Sequence, residues 1–132
     1  MVGRTLRVLL VEDSMLLAGR LEELIRRLPN VDLIAVVDAE AEAIRHIRDT
    51  HPDVLILDLH LRQGSGFGVL KALSKDATAP KVIVLTNYGV PEYRRQAEAL
   101  GASAFLDKSR DYGRLPSILL EFAQDQHDPR PA

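Results

Sequence analysis

The feature that most constrains this chain is a set of short apolar runs with no polar interruption. They are Val8-Leu9-Leu10-Val11, Leu33-Ile34-Ala35-Val36-Val37, Val54-Leu55-Ile56-Leu57, Val82-Ile83-Val84-Leu85 and the weaker Ala104-Phe105-Leu106. A strand with one wet face alternates apolar and polar residues. A run without alternation reads as a strand covered on both faces, as in parallel sheets. Between the runs the apolar residues take a helical period. Leu17, Leu21, Leu24, Ile25 and Leu28 form one stripe, with Ser14 as its cap and Pro29-Asn30 as its stop. Ala43, Ile44 and Ile47 form a second, with Asp38 as cap. Phe67, Leu70 and Leu73 form a third, entered through Gly64-Ser65-Gly66. The fourth lies around Ala97 and Leu100, with Pro91 in its first turn and Gly101 at its end. Leu115, Ile118, Leu119 and Phe122 form the fifth. Strand and helix alternate five times. The pattern predicts a flavodoxin-like α/β sandwich, a parallel five-stranded sheet of order 2-1-3-4-5 with helices on both faces. The domain is expected over residues 5–125, and the polar, proline-rich residues 126–132 read as a disordered tail.

Composition excludes several function classes. The chain has no cysteine, which removes disulfide scaffolds, Cys-based zinc sites and thiol catalysis. Seventeen basic residues against 19 acidic ones give a formal net charge of -2, so no basic face for direct nucleic-acid binding is expected. No apolar run approaches the roughly 20 residues of a membrane helix. Met1-Val2-Gly3-Arg4-Thr5 leads straight into the first strand rather than forming a signal peptide. A cytoplasmic protein with no membrane contact is the expectation.

In a sheet of this order, ligands bind beyond the carboxyl ends of the strands, where the order reverses. Glu12 and Asp13 follow the first strand, Asp58 the third, Thr86 and Asn87 the fourth, and Lys108 the fifth. Any one of these reads as a solvated turn residue, a cap or a surface lysine. Their concentration at one end of the sheet is the signal. Crowded carboxylates raise a pKa or recruit a cation, and Mg2+ suits a few carboxylates plus phosphate oxygens. Asp58 then reads as a carboxylate nucleophile that forms an acyl phosphate. Lys108 and Thr86 read as groups that neutralise or bind the equatorial oxygens.

These residues resemble the receiver domain of two-component response regulators, over about residues 5 to 125. The matching elements are Val-Glu12-Asp13-Ser, Leu-Ile-Leu-Asp58-Leu, Val-Leu-Thr86-Asn and Ala-Phe105-Leu-Asp-Lys108-Ser, in the family's order and spacing. The resemblance implies that Asp58 is the phosphoacceptor, with a sensor histidine kinase or histidine phosphotransfer protein as donor. It implies Mg2+ held by Glu12, Asp13, Asp58 and the backbone carbonyl of His60, with Asp13 the more direct ligand. Thr86 and Lys108 contact the phosphoryl group. Phe105 stands at the position of the switch aromatic, which turns inward as Thr86 moves. The surface of the fourth helix, fifth strand and fifth helix then changes shape for a downstream protein target, and a homodimer through that face is common in the family. The chain reads as a stand-alone signalling module rather than an enzyme, its chemistry confined to its own phosphotransfer and autodephosphorylation.

Several positions depart from the family. The first acid is Glu12 rather than Asp. Arg62 and Ser109 stand where proline is usual, so the loop after Asp58 loses a fixed φ and a cis bond after Lys108 loses its usual basis. His60 and Tyr88 occupy the two positions that tune dephosphorylation, and two large groups there would shield the acyl phosphate. Three other readings are weaker. A haloacid-dehalogenase-type hydrolase needs Asp-x-Asp after the first strand. A flavodoxin needs a Ser/Thr/Gly phosphate loop where Glu12-Asp13 stands. A receiver switched by contacts alone would not need the full set Asp13, Asp58, Thr86 and Lys108. His46, His51 and His127 read as surface residues, Arg26-Arg27 and Arg94-Arg95 as solvated helix faces, and Gly64-Ser65-Gly66-Phe67-Gly68 as a turn without a Walker lysine.

Overall fold

A computed structural model describes residues 5–87 and 90–127. Its strands are β1 (Leu6–Val11), β2 (Val31–Val37), β3 (Val54–Leu57), β4 (Lys81–Thr86) and β5 (Ala104–Asp107). They pair in parallel in the order β2-β1-β3-β4-β5, as the unbroken apolar runs predict. The helices are α1 (Met15–Arg26), α2 (Glu40–Thr50), α3 (Gly66–Leu73), α4 (Pro91–Ala99) and α5 (Leu115–His127). α5 therefore takes in the first two residues of the segment expected to be a tail, and the rest of that segment lies outside the described residues. Among the described residues no helix is long and apolar enough to cross a membrane.

Alternate residues of each inner strand feed two cores. Leu6, Val8, Leu10, Val54, Ile56, Ile83 and Leu85 meet Leu21 and Ile25 of α1 and Leu115 and Leu119 of α5. Leu9, Val11, Leu55, Leu57, Val82 and Val84 meet Ala43 and Ile47 of α2, Val69 and Leu70 of α3, and Ala97 of α4. Every residue of β3 is buried, which is why its sequence shows no period of two. β2 is an edge strand. Only Leu33 and Val37 are buried there, although its apolar run reads like that of an inner strand.

Ser14 caps α1 as expected, its side chain accepting from Leu17 N. Ser65 caps α3 in the same way, accepting from Phe67 N. The expected cap of α2 is corrected. Asp38 is exposed and makes no cap; Ala39 occupies that position with no side-chain bond. The first N–H of α2, from Glu40, donates instead to the carbonyl of Gln63 at 3.0 Å. α4 has Pro91 in its first turn and is followed by Gly101 at φ +100°, the left-handed conformation that ends a helix at low cost in glycine.

Candidate functional site

Glu12, Asp58 and Lys108 each sit one residue past a strand, on a backbone that continues the hydrogen-bond ladder. Glu12 N donates to Val37 O at 2.9 Å, Asp58 N to Val11 O at 3.0 Å and Lys108 N to Thr86 O at 2.8 Å. The sheet thereby fixes these three Cα atoms before any side chain interacts.

Lys108 Nζ lies 2.8 Å from Glu12 Oε1 and 3.0 Å from Asp58 Oδ2. The second oxygen of each carboxylate is also occupied. Glu12 Oε2 accepts from Ser14 N at 2.9 Å, and Asp58 Oδ1 accepts from His60 N at 3.1 Å. Glu12, Asp58 and Thr86 are all buried. Burial pushes the Glu12 carboxyl above the usual carboxylate range, although the bonds from Lys108 and Ser14 pull against it. Burial alone would lower the Lys108 pKa, but its bonds to Glu12 and Asp58 outweigh this and hold it above the ordinary lysine value. The crevice therefore keeps a protonated lysine between two carboxylates.

Asp13 completes the acidic cluster. A carboxylate oxygen from each of Glu12, Asp13 and Asp58 lies within 4.8 Å of the others. Asp13 is half-buried and makes no hydrogen bond or ion pair among the described residues, so its oxygens are open to a cation.

Thr86 ends β4 in register with Asp107, and its whole side chain is buried. Phe105 differs from the expectation of an aromatic waiting to turn inward. It is already inside, 7% exposed. Arg94 of α4 lies over its ring, 5.4 Å from the centroid, and donates to its carbonyl at 3.1 Å. Phenylalanine has no hydroxyl to draw it toward water, and the guanidinium closes the space above it. Arg94 is thus more than the solvated helix residue expected.

The His60 side chain is exposed. Its ring lies 5.8 Å from that of Tyr93 on α4, which makes an edge contact with Phe67 at 5.7 Å. Tyr88, expected to act with His60, lies outside the described residues, as does the side chain of His127. His46 is half-buried and His51 is exposed. No peptide bond among the described residues is cis, Lys108–Ser109 included. Ser109 instead folds back on Asp107, donating from N at 2.8 Å and from Oγ at 2.6 Å to the same oxygen. These bonds hold the Asp107 carboxyl below the usual range.

The loop after Asp58 is tightly folded. Gly66 N donates to Leu59 O at 3.0 Å, and a Cβ on Gly66 would run into the Asp58 carbonyl and lie 2.7 Å from Leu59 Cα. The sequence marked this stretch only as a turn. Neither the bond from Ser65 N in this loop to Glu40 Oε1, at 2.8 Å, nor the contact of Arg94 with Phe105 is marked by the sequence.

The parallel sheet with buried carboxylates at its switch point, bridged by a lysine just past the last strand, defines a class: a flavodoxin-like α/β domain with an acidic crevice. The chain belongs to the response regulator receiver domain family, whose sequence model matches residues 8–120. The sensory transduction protein LytT of Enterococcus faecalis is 30% identical over 114 residues, 86% of this chain and 46% of the relative. A protein-glutamate methylesterase/protein-glutamine glutaminase of Methanospirillum hungatei is 30% identical over 116 residues, 86% of this chain and 34% of the relative. The chain spans about half the length of the LytT relatives it matches. A solved two-component response regulator of the LuxR family from Aurantimonas sp. SI85-9A1 superposes with a TM-score of 0.83 at 26% identity, covering 92% of this chain and 86% of that one.

Proposed function

We propose that the receiver unit, residues 5–125, is a cytoplasmic phosphorylation switch. Asp58 accepts a phosphoryl group from a sensor histidine kinase or histidine phosphotransfer protein in a Mg2+-dependent step. The surface of α4, β5 and α5 then changes its binding to a downstream protein or to a second copy of the chain. The observation that carries this reading is the Asp58 carboxylate. It is buried, yet His60 N–H and the Lys108 ammonium hold one oxygen each, which keeps a charged nucleophile in one orientation.

The donor set suits Mg2+, because Glu12, Asp13 and Asp58 offer hard oxygen ligands close together and Asp13 is uncommitted. The His60 carbonyl is the fourth proposed ligand. When bound, Mg2+ supplies positive charge to the phosphoryl oxygens. In the transfer, an Asp58 oxygen forms the O–P bond while the P–N bond of the donor breaks. The electron pair returns to the donor nitrogen. Lys108, already on Asp58 Oδ2, lies where negative charge grows, and Thr86, at the end of the neighbouring strand β4, carries the hydroxyl that would bind a phosphoryl oxygen. The product replaces one negative charge by about two.

Phe105 is already inside, so the switch runs through contacts rather than through a ring flip. A shift of Thr86 toward the phosphoryl group moves its register partner Asp107. Phe105 precedes that residue by two, and Arg94 holds both the carbonyl and the ring of Phe105. Movement at β4 is thereby delivered to α4.

Intact mass after incubation with phosphoramidate tests the reading, with and without Mg2+ and beside Asp58→Asn. One added phosphoryl group that requires both Mg2+ and Asp58 is the expected result. Folded protein that gains no mass under any of these conditions refutes it.

A further inference from the structure

We infer that Glu40, on a different helix, completes the N-terminal capping box of α3 and thereby positions the loop that follows the phosphoacceptor; the functional half of this inference rests on Asp58 being that acceptor. In a capping box the N-cap Ser or Thr accepts from an N–H of the first turn, and a Glu at the third helical position reaches back to the N-cap N–H. α3 has the first half. Ser65 Oγ accepts from Phe67 N at 3.0 Å. It lacks the second half, because the third helical position is Gly68, which has no side chain. The Ser65 N–H donates instead to Glu40 Oε1 at 2.8 Å.

The fit is steric as well as polar. A Cβ built on Gly68 would fall onto both carboxylate oxygens and Cδ of Glu40. The Glu40 carboxylate therefore fills the volume that a side chain at the third position would need. A Cβ on Gly64, which has φ +87°, would fall onto Glu40 Cβ. A glutamate in the first turn of α2 would ordinarily serve its own helix dipole. Here its carboxylate is bonded to the start of the neighbouring helix, where a negative charge is equally favoured.

The main chain of Glu40 joins the clasp. Its N–H donates to Gln63 O at 3.0 Å, and Ala39 forms a parallel bridge with Gln63. The other side of the loop closes on itself. Gly66 N and Ser65 Oγ both donate to Leu59 O, at 3.0 and 3.5 Å, and His60 bridges Ser65. Residues 59–66 are thus held between the neighbour of Asp58 and the first turn of α2. Arg62 removes the stiffening of a proline in this loop, and the Glu40 clasp restores it from outside. Glu40 touches neither Asp58 nor the crevice. It is a positioning residue that acts through the backbone of His60, whose N–H orients Asp58 Oδ1.

The test combines amide hydrogen exchange at Ser65 with the initial rate of phosphorylation by phosphoramidate at saturating Mg2+. Sheet amides of Leu55 and Ile56 serve as the reference for global folding. Loss of a bond to a charged acceptor in Glu40→Ala should speed Ser65 exchange roughly tenfold or more, and slow phosphorylation severalfold, with the sheet amides unchanged. Glu40→Gln keeps an acceptor oxygen and should recover most of both. The double variant Glu40→Ala/Gly68→Glu places the box within α3 and should also recover both. Gly68→Ala, which expels the carboxylate without altering α2, should reproduce the exchange defect if Glu40→Ala destabilises the whole sheet. Unchanged Ser65 exchange in Glu40→Ala and Gly68→Ala overturns the clasp. Faster exchange with an unchanged phosphorylation rate overturns its positioning role. A wild-type chain that takes no phosphoryl group refutes the phosphoacceptor reading, and with it the functional half of the inference. Ser65 exchange, which needs no phosphorylation, still decides the clasp.

Discussion

Replacing Lys108 by alanine removes the only cation that touches Glu12 and Asp58 among the described residues. The three side chains are nearly dry, with exposures of 9% for Lys108, 2% for Glu12 and 5% for Asp58. Surface screening therefore gives little relief. Breaking a buried ion pair by removing one partner costs about 3–5 kcal/mol. Two features place this site at the low end. Glu12 is already pushed toward its neutral form by burial and takes up a proton more readily than an ordinary glutamate. The vacated lysine stem also leaves room for water beside the carboxylates. The expected cost of Lys108→Ala at neutral pH without divalent cation is about 3 kcal/mol, or about 10 °C in Tm for a domain of this size. The cause is an uncompensated charge, so removing that charge must shrink the effect. In an Asp58→Asn background the same lysine substitution should cost only about 1.5 kcal/mol. Urea unfolding of wild type, both single variants and the double variant at 25 °C gives the coupling directly. A cost under about 1 kcal/mol, or the same cost in both backgrounds, refutes the reasoning that the ammonium offsets a buried carboxylate pair.

The folded pKa of Lys108 lies above the ordinary 10.5, because its bonds to Glu12 and Asp58 outweigh its burial. Its contribution is therefore complete below that pH and lost as pH rises through the folded value. The difference in urea midpoint between wild type and Lys108→Met should be flat over roughly pH 8–10 and shrink above. Ser109→Pro installs the usual family residue but removes both donors to Asp107, so the urea midpoint should fall; an unchanged midpoint would contradict this. Gly66→Ala places a methyl against the Asp58 carbonyl and Leu59 Cα, which are backbone and cannot yield cheaply. A loss of about 2–4 kcal/mol is expected, together with impaired phosphorylation, and a normal melting temperature would overturn it. Asp13→Asn removes one of three like charges, so the metal-free protein should be stabilised while stabilisation by added Mg2+ is weakened; thermal melts with EDTA and with Mg2+ check both signs.

The fold was legible because the chain states burial twice. Unbroken runs mark inner strands, and helical stripes mark the layers over them. The positions of Asp58, Thr86 and Lys108 followed from one rule, that chemistry sits where strands of such a sheet end. The same local signals failed where partners come from far along the chain. Asp38 has the chemistry of a cap, but the first N–H of α2 is satisfied by Gln63, more than 20 residues on. Glu40 has no sequence signal of its own, yet its carboxylate serves Ser65 of another helix. Arg94 is exposed, as its helix position implies, yet its guanidinium also lies over the Phe105 ring. β2 misleads in the opposite sense. Its run is as apolar as that of β4, but sheet order leaves it at an edge, and Val36 is 39% exposed.

These misses share a cause that bears on how the site works. The carboxylates and Lys108 are set by the sheet, whose ladder bonds bind each Cα rigidly. The groups that orient them from outside come from α2 and α4. Glu40 holds the loop that presents His60 N–H to Asp58, and Arg94 holds the strand that presents Lys108. A charge change at Asp58 acts at the strand ends and leaves the buried body of the inner strands in place. It can shift the equilibrium of the few hydrogen bonds and ring contacts that tie these helices to the crevice. Each is worth about 1 kcal/mol or a little more, comparable to the coupling energies by which one site typically biases another. A rigid sheet that fixes the chemistry, with weakly tethered helices that report it, therefore follows from where this chain places its strong and its weak contacts.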